Sequence, residues 1–473
     1  MTVTSFCANL FQDHKELYQI LSVGKQQSIA KDCPQIVSIS QEMQQLEPLA
    51  VLQAIAKPNQ LQFYWENRRK QEAIAAIDAA VSLQVEGRDR FQKAQQFIQY
   101  SLKNTISNCT SNLPFSGSHF FCGFTFFENN LTIDAPFPSA TIFLPRWQVS
   151  LRKSTCVLVA NIEINSKANL DLLVEDLCTQ YRTISWSGHS LVDRNETELV
   201  QLIKQDSNNA EWFKLAVSSA LKSIHTNQFS KIVLANAIDV ISPLPFNLIN
   251  SLKNLRKRHP DCYIFSTSNG QGQNFIGASP ERLLSIRNNQ LVTDSLAGSA
   301  PRGKTRGEDA AFAHQLLISE KERREHQFVL NFIVKRLSQL GLMPQLLPTP
   351  QLLQLSNIQH LWTPVQSSVP ANVHPLDIVE KLHPTPAVAG VPRDIVLRHI
   401  LHYEQFDRCL YAAPLGWVDY QGNSEFIVGI RSALIEGSKA RLYAGAGIVA
   451  GSDPEKELLE IQLKLQALLR ALA

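Results

Sequence analysis

Short runs of aromatic and β-branched residues, each bounded by turn residues, constrain this chain more than any other feature. HFFCGFTFF, ATIFLPRWQVSL and TCVLVANIEI follow one another separated by turn residues, so they read as neighbouring antiparallel strands rather than alternating βαβ units. LQFYWENR reads as an earlier strand, DRFQKAQQFIQYSL as a helix, and the polar stretch from Asn104 to Ser118 as a surface loop. A linker-like part from Ser185 to Ala210 and a helix from Glu211 to His225 lead to a second set of strands: KIVLANAIDVI, CYIFSTS, NFIGASPERLLSI and QLVTDSLAG. A long helix from about Glu308 to Leu340 and a Gln/Leu/Pro-rich connection follow. The chain then closes with YAAPLGWVDY, EFIVGIRSALIE, ARLYAGAG and a terminal helix. The pattern predicts one α/β domain, with residues 1–205 as its less diagnostic N-terminal part and residues 206–473 carrying the motifs below; no internal repeat is present.

The chain of 473 residues is 44% hydrophobic and only 18% charged, enough apolar material for a large core. Its net charge of +3 is small and its Lys and Arg residues are scattered, so no nucleic-acid partner is expected. The eight cysteines form no CxxC pair, which predicts neither a zinc site nor a disulfide framework but reduced, mostly buried thiols. MTVTSFCANLFQDHKEL has no basic n-region, and no run approaches the ~18 apolar residues of a membrane helix. A soluble cytoplasmic protein with no membrane partner is the expectation.

In ISEKERREHQFVLNFIVKRL, Val329, Phe332, Ile333 and Leu337 form a buried stripe, and stepping back along it by three, four or seven residues reaches Glu325 and Glu322. The terminal helix repeats the arrangement. Ser452 or Asp453 can cap it, Pro454 suits its first turn, and Glu457, Glu460 and Lys464 line one edge of the Leu458, Ile461, Leu465, Leu468 face. Two inward Glu pairs call for a cation, and hard oxygen donors with open positions suit Mg²⁺; for either helix alone, a solvated face with ordinary pairing is the commoner outcome. On KIVLANA, Lys231 shares a face with Val233, Ala235 and Ala237, where a desolvated lysine can act as a base, although a strand-end lysine is more often a solvated edge residue. EFIVGIRSAL places Arg431 on the face of Ile427 and Gly429, fit either to clamp a carboxylate or to make a structural ion pair.

GSAPRGKT, Gly298 to Thr305, matches the phosphate-loop pattern G-x-x-x-x-G-K-[ST]. Pro301 removes an amide from the would-be cradle and the flanking strands read as antiparallel, so nucleotide binding is not expected.

Together the motifs resemble the chorismate-utilising enzymes, and most closely the isochorismate synthases of quinone and siderophore pathways. The resemblance runs through KIVLANA, FIGASPERL, SLAGSAPRGKT, SEKERREH, IQHLWT, LHPTPAVAGVP, YAAPLGW, IVGIRSAL and GAGIVAGSDPEKELLE in order, and is looser in FYWENR and FLPRWQ. It implies two stacked antiparallel sheets flanked by helices, with the active site between them. It also implies Mg²⁺-dependent conversion of chorismate to isochorismate, no glutaminase subunit, and a monomer or weak dimer. By the same resemblance Lys231 activates water for attack at C2, Glu281 protonates the departing C4 hydroxyl, and His360 lies near the ring. Glu325 and Glu460 correspond to metal ligands, with Glu322 and Glu457 holding metal-bound water and Lys464 beside them. Tyr411 and Arg431 hold the pyruvyl carboxylate, helped by the backbone of Gly445, Ala446 and Gly447, and Gly298, Ser299 and Ala387 belong to the substrate site.

Asn236, Ser299, Ala389 and Ala413 depart from the commoner family pattern, which has arginine at the first of these positions. Ala387 stands where ammonia-using and pyruvate-eliminating relatives commonly have threonine, which favours a synthase that stops at isochorismate over a salicylate synthase or an anthranilate-type enzyme. A chorismate-binding protein without turnover is a further alternative, disfavoured because every proposed catalytic group is present.

Overall fold

The computed structural model describes residues 10–108, 113–130, 134–187, 191, 203–205, 209–355 and 358–472. Its centre is the long strand Ala140–Arg152, which pairs antiparallel with Glu72–Val85 along one edge and with His119–Phe124 and then Thr155–Ile164 along the other. From there hydrogen bonds run in two directions. One run passes through Glu72–Val85, Leu61–Asn67, Tyr263–Asn269, Gln273–Ser279, Ser432–Glu436 and Lys439–Val449 to Lys231–Ile241. The other passes through His119–Phe124, Pro414–Asp419, Ser424–Val428, Arg282–Arg287 and Gln290–Pro301 to Ile358–Ser368. Two antiparallel sheets are thus expected from the sequence and present, but Ala140–Arg152 joins them into one continuous network. Thr105–Ser107 adds a parallel pairing to Gln35–Met43.

Strands from the first 205 residues interleave with later ones, as Leu61–Asn67 does with Tyr263–Asn269. Aromatic side chains fill the layer between: Phe63 packs on Phe121 at 5.0 Å and Trp65 on Tyr263 at 5.4 Å. Burying such rings is the main favourable term in a core of this size. Six cysteines are described, none is paired, and five are buried. Among the described residues no helix is long and apolar enough to cross a membrane.

Three local expectations are corrected. The single long helix is two, Arg306–Ile318 and Glu320–Gln339, because Ser319 leaves helical geometry and its hydroxyl accepts from the Glu322 amide, capping the second. The stretch EFIVGIRSALIE is also two strands, Ser424–Val428 and Ser432–Glu436, and Arg431 sits in the bend between them at φ +51°. The stretch from Asn104 to Ser118 is not all loop, since it contains the strand Thr105–Ser107. Of the linker from Ser185 to Ala210, residues 188–190, 192–202 and 206–208 lie outside the described residues; Ser185–Ser187 end the helix Leu170–Ser187, and Ile203–Gln205 pairs with the Lys231–Ile241 strand.

Candidate active site

The last strands of the two runs face each other across a cavity of about 180 Å³, closed at the sides by the helices Glu320–Gln339 and Pro454–Leu472. Val233 stands opposite Gly447 and Ala235 opposite Gly445, and cross-strand partners share a face, so Lys231 and both glycines look into the cavity. A methyl group on Gly445 would come within 2.8 Å of the Tyr411 hydroxyl, and one on Gly447 within 3.4 Å of the Lys231 side chain. The first would press on that hydroxyl, while the second would only make an ordinary contact. Ala446 alternates to the opposite face, 1% exposed, and contributes no side chain to the cavity.

Lys231 is 1% exposed and donates to Glu325 Oε1 at 2.7 Å. Burial raises the Glu325 carboxyl, but the charge and hydrogen bond of Lys231 outweigh it and hold that carboxyl below its ordinary value. Glu460 sits one turn before Lys464, whose ammonium donates to it at 2.7 Å and to the Gly445 carbonyl at 2.8 Å. Arg431 is different. The one hydrogen bond of its side chain among the described residues is a long contact to Cys262 Sγ at 3.6 Å, so its guanidinium has no acidic partner there. Among the described residues the structural ion pair considered from the sequence is absent, which leaves the guanidinium available for an external carboxylate.

Glu281 follows Pro280 in the corner between Gln273–Ser279 and Arg282–Arg287. Its side chain is buried, and among the described residues its carboxyl group has no hydrogen-bond or ion-pair partner. Burial pushes it from the ordinary carboxylate range up to about 8, against the pull of Lys231. His360 stands across from Ser299 where Gly298, at φ +79°, makes a bulge in the Gln290–Pro301 strand. Ser299 Oγ and His360 Nδ1 are 2.8 Å apart, and His360 Nε2 is buried without a partner among the described residues. Burial, aided by Arg431 and Lys464, pushes this imidazole down to about 3, so it is neutral. Tyr411 lines the same space, its hydroxyl raised by burial, and stacks on Tyr443 at 5.3 Å.

Thirteen of the sixteen residues singled out from the sequence line this one cavity: Lys231, Glu281, Gly298, Ser299, Glu325, His360, Ala387, Tyr411, Arg431, Gly445, Gly447, Glu460 and Lys464. Glu322 and Glu457 stand just behind it with Ala446. Glu322 accepts from the Ser299 amide at 3.0 Å. Burial raises Glu322 and Glu457, and the neighbouring Glu325 and Glu460 carboxylates add to the effect. No group of three or more acidic, His or Cys side chains is close enough together to hold a metal ion among the described residues. The four-carboxylate arrangement is therefore not assembled as such, but the two carboxylates that do line the cavity match in number and hardness what Mg²⁺ takes from a protein when substrate oxygens and water complete its shell. The donor set fits that ion.

Tyr443, Leu296, Val388 and Ile430 also line the cavity and were missed. Tyr443 had a legible signal, since it lies two residues before Gly445 and so on its face; the other three are apolar and carried none. The phosphate-loop match is disposed of by hydrogen bonds: the amides of Gly303 and Lys304 go to Asp309 and Glu308, Thr305 caps the helix Arg306–Ile318, and Arg302 pairs with Asp309 at 2.7 Å. No amide cradle is left for phosphate.

A fold of two joined antiparallel sheets with a cationic and carboxylate-bearing cavity between their last strands defines a class, and the chain belongs to it: residues 22–473 match the family model of the chorismate binding enzymes. Similar individual proteins share one description. Isochorismate synthase MenF of Bacillus subtilis is 29% identical over 447 residues, covering 92% of this chain and 93% of that protein. The salicylate biosynthesis isochorismate synthase of Pseudomonas aeruginosa is 40% identical over 261 residues, 54% of each chain. The solved structure of MenF, the menaquinone-specific isochorismate synthase of Escherichia coli, superposes with a TM-score of 0.76 at 26% identity, covering 96% of this chain and all of that one.

Proposed function

We propose that this protein is an isochorismate synthase that adds water at C2 of chorismate and expels the C4 hydroxyl in an Mg²⁺-dependent isomerisation. The observation that carries this reading is that one small cavity holds both Lys231 and Glu281, whose carboxyl burial pushes up to about 8, together with Arg431, whose guanidinium has no acidic partner among the described residues. Arg431 and Tyr411 take the pyruvyl carboxylate, with the bare backbone at Gly445 and Gly447 giving it room. Glu325 and Glu460 would hold Mg²⁺, which when bound neutralises the ring carboxylate and orients the substrate.

Lys231 in its unprotonated form takes a proton from water as the new C2–O bond forms. The ring double bond shifts, the C4–O bond breaks, and Glu281 delivers its proton to the departing oxygen. One hydroxyl replaces another, so no oxidant or second substrate is consumed. Buried Glu281 can give this proton because its environment keeps it in the acid form near neutral pH. His360, neutral and with a free Nε2, offers a hydrogen bond at the ring without adding charge. Ala387 presents only a methyl group where a hydroxyl would be needed to touch the pyruvyl ether, which supports release at the isochorismate stage rather than pyruvate elimination.

Because the incoming hydroxyl comes from solvent, turnover in heavy-oxygen water should place one heavy oxygen at C2 of the product. Unlabelled isochorismate would mean the substrate's own hydroxyl migrates and would remove the roles given to Lys231 and Glu281.

A further inference from the structure

A second cavity, of about 490 Å³, opens beside the catalytic one, and Ser299, Ile358, Arg431, Glu460 and Lys464 line both. One wall is the terminal helix. Lys456, Leu459, Leu463 and Ala467 follow one another on it at helical spacing, next to the Leu458, Ile461, Leu465, Leu468 face that packs into the core. Leu459 and Leu463 are 59% and 68% exposed, so the stripe carries two large apolar side chains that the rest of the chain does not cover. Ala300, Pro301 and Ile358, at the paired ends of two strands, complete the apolar lining. An apolar groove rimmed by charge has the composition of a ligand site rather than of a solvated helix face.

We propose that this groove binds a carboxylate with an extended aliphatic tail, the carboxylate on Arg431 where the two cavities join and the tail over Leu459, Leu463 and Ala467. The charge in its wall selects an anion. Glu460, the one acidic side chain in the lining among the described residues, is already answered by Lys464 at 2.7 Å. The Lys456 ammonium makes no hydrogen bond or ion pair among the described residues, and the Arg431 guanidinium has no acidic partner there. His259, pushed down to about 4 by burial and by Arg431 and Arg258, adds no charge at neutral pH. The Ser299 hydroxyl meets His360 at 2.8 Å and the Pro301 carbonyl accepts from Gln359 at 3.2 Å, so neither is a spare acceptor for a cation. An arginine takes a carboxylate in two parallel hydrogen bonds, whereas an ammonium ion here would meet like charge. No Phe, Tyr or Trp among the described residues lines the groove, which suits a flexible chain better than a stacked ring. From Lys456 to Ala467 the helix rises about 16 Å, room for a tail of about eight carbons. Arg431 is also the group assigned to the pyruvyl carboxylate, so such a ligand excludes chorismate; that exclusion rests on the proposed function, and the binding itself does not.

Isothermal titration of the full-length protein with sodium octanoate, sodium butyrate and octylammonium chloride tests the binding, and chorismate turnover at rising octanoate tests the exclusion. Octanoate should bind one-to-one at about 1 mM or below, and both butyrate and octylammonium about tenfold or more weaker. It should raise the KM for chorismate and leave kcat unchanged. In the double variant Leu459→Gln, Leu463→Gln, at two exposed positions outside the catalytic cavity, octanoate should bind no better than butyrate while chorismate kcat and KM stay unchanged. Equal affinity for octylammonium, no gain from butyrate to octanoate, octanoate affinity unchanged in the double variant, or a chorismate KM unmoved by bound octanoate would each overturn the proposal. A wild-type dimer that the double variant dissociates would also overturn it, by giving the stripe to a second copy of the chain. If chorismate is not turned over at all, the proposed function fails, and the titrations still decide whether the groove binds the carboxylate.

Discussion

Glu281 offers the most quantitative test, because its role as acid depends on one protonation state. Burial carries its carboxyl from the ordinary value of 4.5 to about 8, so it keeps its proton at neutral pH and loses it in mild alkali. The rate at saturating chorismate should hold level from about pH 7 up to about pH 8 and then fall about tenfold for each further pH unit. Glu281→Gln keeps the volume and a donor but has no proton to give. It should lower kcat by roughly 10²–10⁴-fold and abolish the alkaline limb attributed to this group. Stability supplies an independent readout. A carboxyl raised on folding stabilises the native state fully below its unfolded value and loses that contribution as pH rises through about 8, so the wild type should lose stability relative to Glu281→Gln between about pH 4.5 and pH 8. The upper bound is about 5 kcal/mol, reduced by whatever water enters the cavity. Urea unfolding of both proteins across this range, beside pH–rate profiles, measures both effects. A wild-type profile flat through pH 10, with a Gln variant of undiminished kcat, would refute the assignment of Glu281 as the acid.

Lys231→Ala should fold, yet lose about 10²–10⁴-fold in turnover, and full activity in a folded variant would remove Lys231 from the mechanism. Mg²⁺ should restore activity after EDTA, and Glu325→Gln or Glu460→Gln should each raise the Mg²⁺ concentration needed by about 10–100-fold, as read by metal titration of the rate. Ala387→Thr should introduce measurable pyruvate release, read by a coupled assay, although one hydrogen bond contributes only about 1–3 kcal/mol; no pyruvate above the wild-type level would deny position 387 a part in product choice.

Much of this site was legible because chemistry restricts it. Glu325, Glu460 and Lys464 could be placed by helical period alone, since each sits on the rim of an apolar stripe whose other members, Val329 and Ile333 or Ile461 and Leu465, are buried. Lys231 followed from strand alternation, whereas the two glycines were placed by the family resemblance. Periodicity could not show Ser319 ending a helix between two helical stretches, because one capping hydroxyl outweighs the propensity of its neighbours. Nor could it show the left-handed bend that aims Arg431, a non-glycine residue in a conformation the local sequence does not favour. Some N-terminal elements, among them the helix His14–Lys31 and the 14-residue strand Glu72–Val85, went unread. EAIAAIDAAVSLQV is rich in alanine, a helix former, and becomes a strand because Leu61–Asn67 and Ala140–Arg152 flank it. Likewise the Tyr411–Tyr443 stack joins residues far apart in the chain, and only the three-dimensional fold brings them together.

Product identification tests the central claim most directly. The protein incubated with chorismate and Mg²⁺ should yield isochorismate by chromatography, in a mixture that reaches the same composition when isochorismate is supplied instead, with salicylate and pyruvate only at trace level. Substantial salicylate with matching pyruvate, anthranilate when ammonia is added, or no turnover by the folded protein would contradict it.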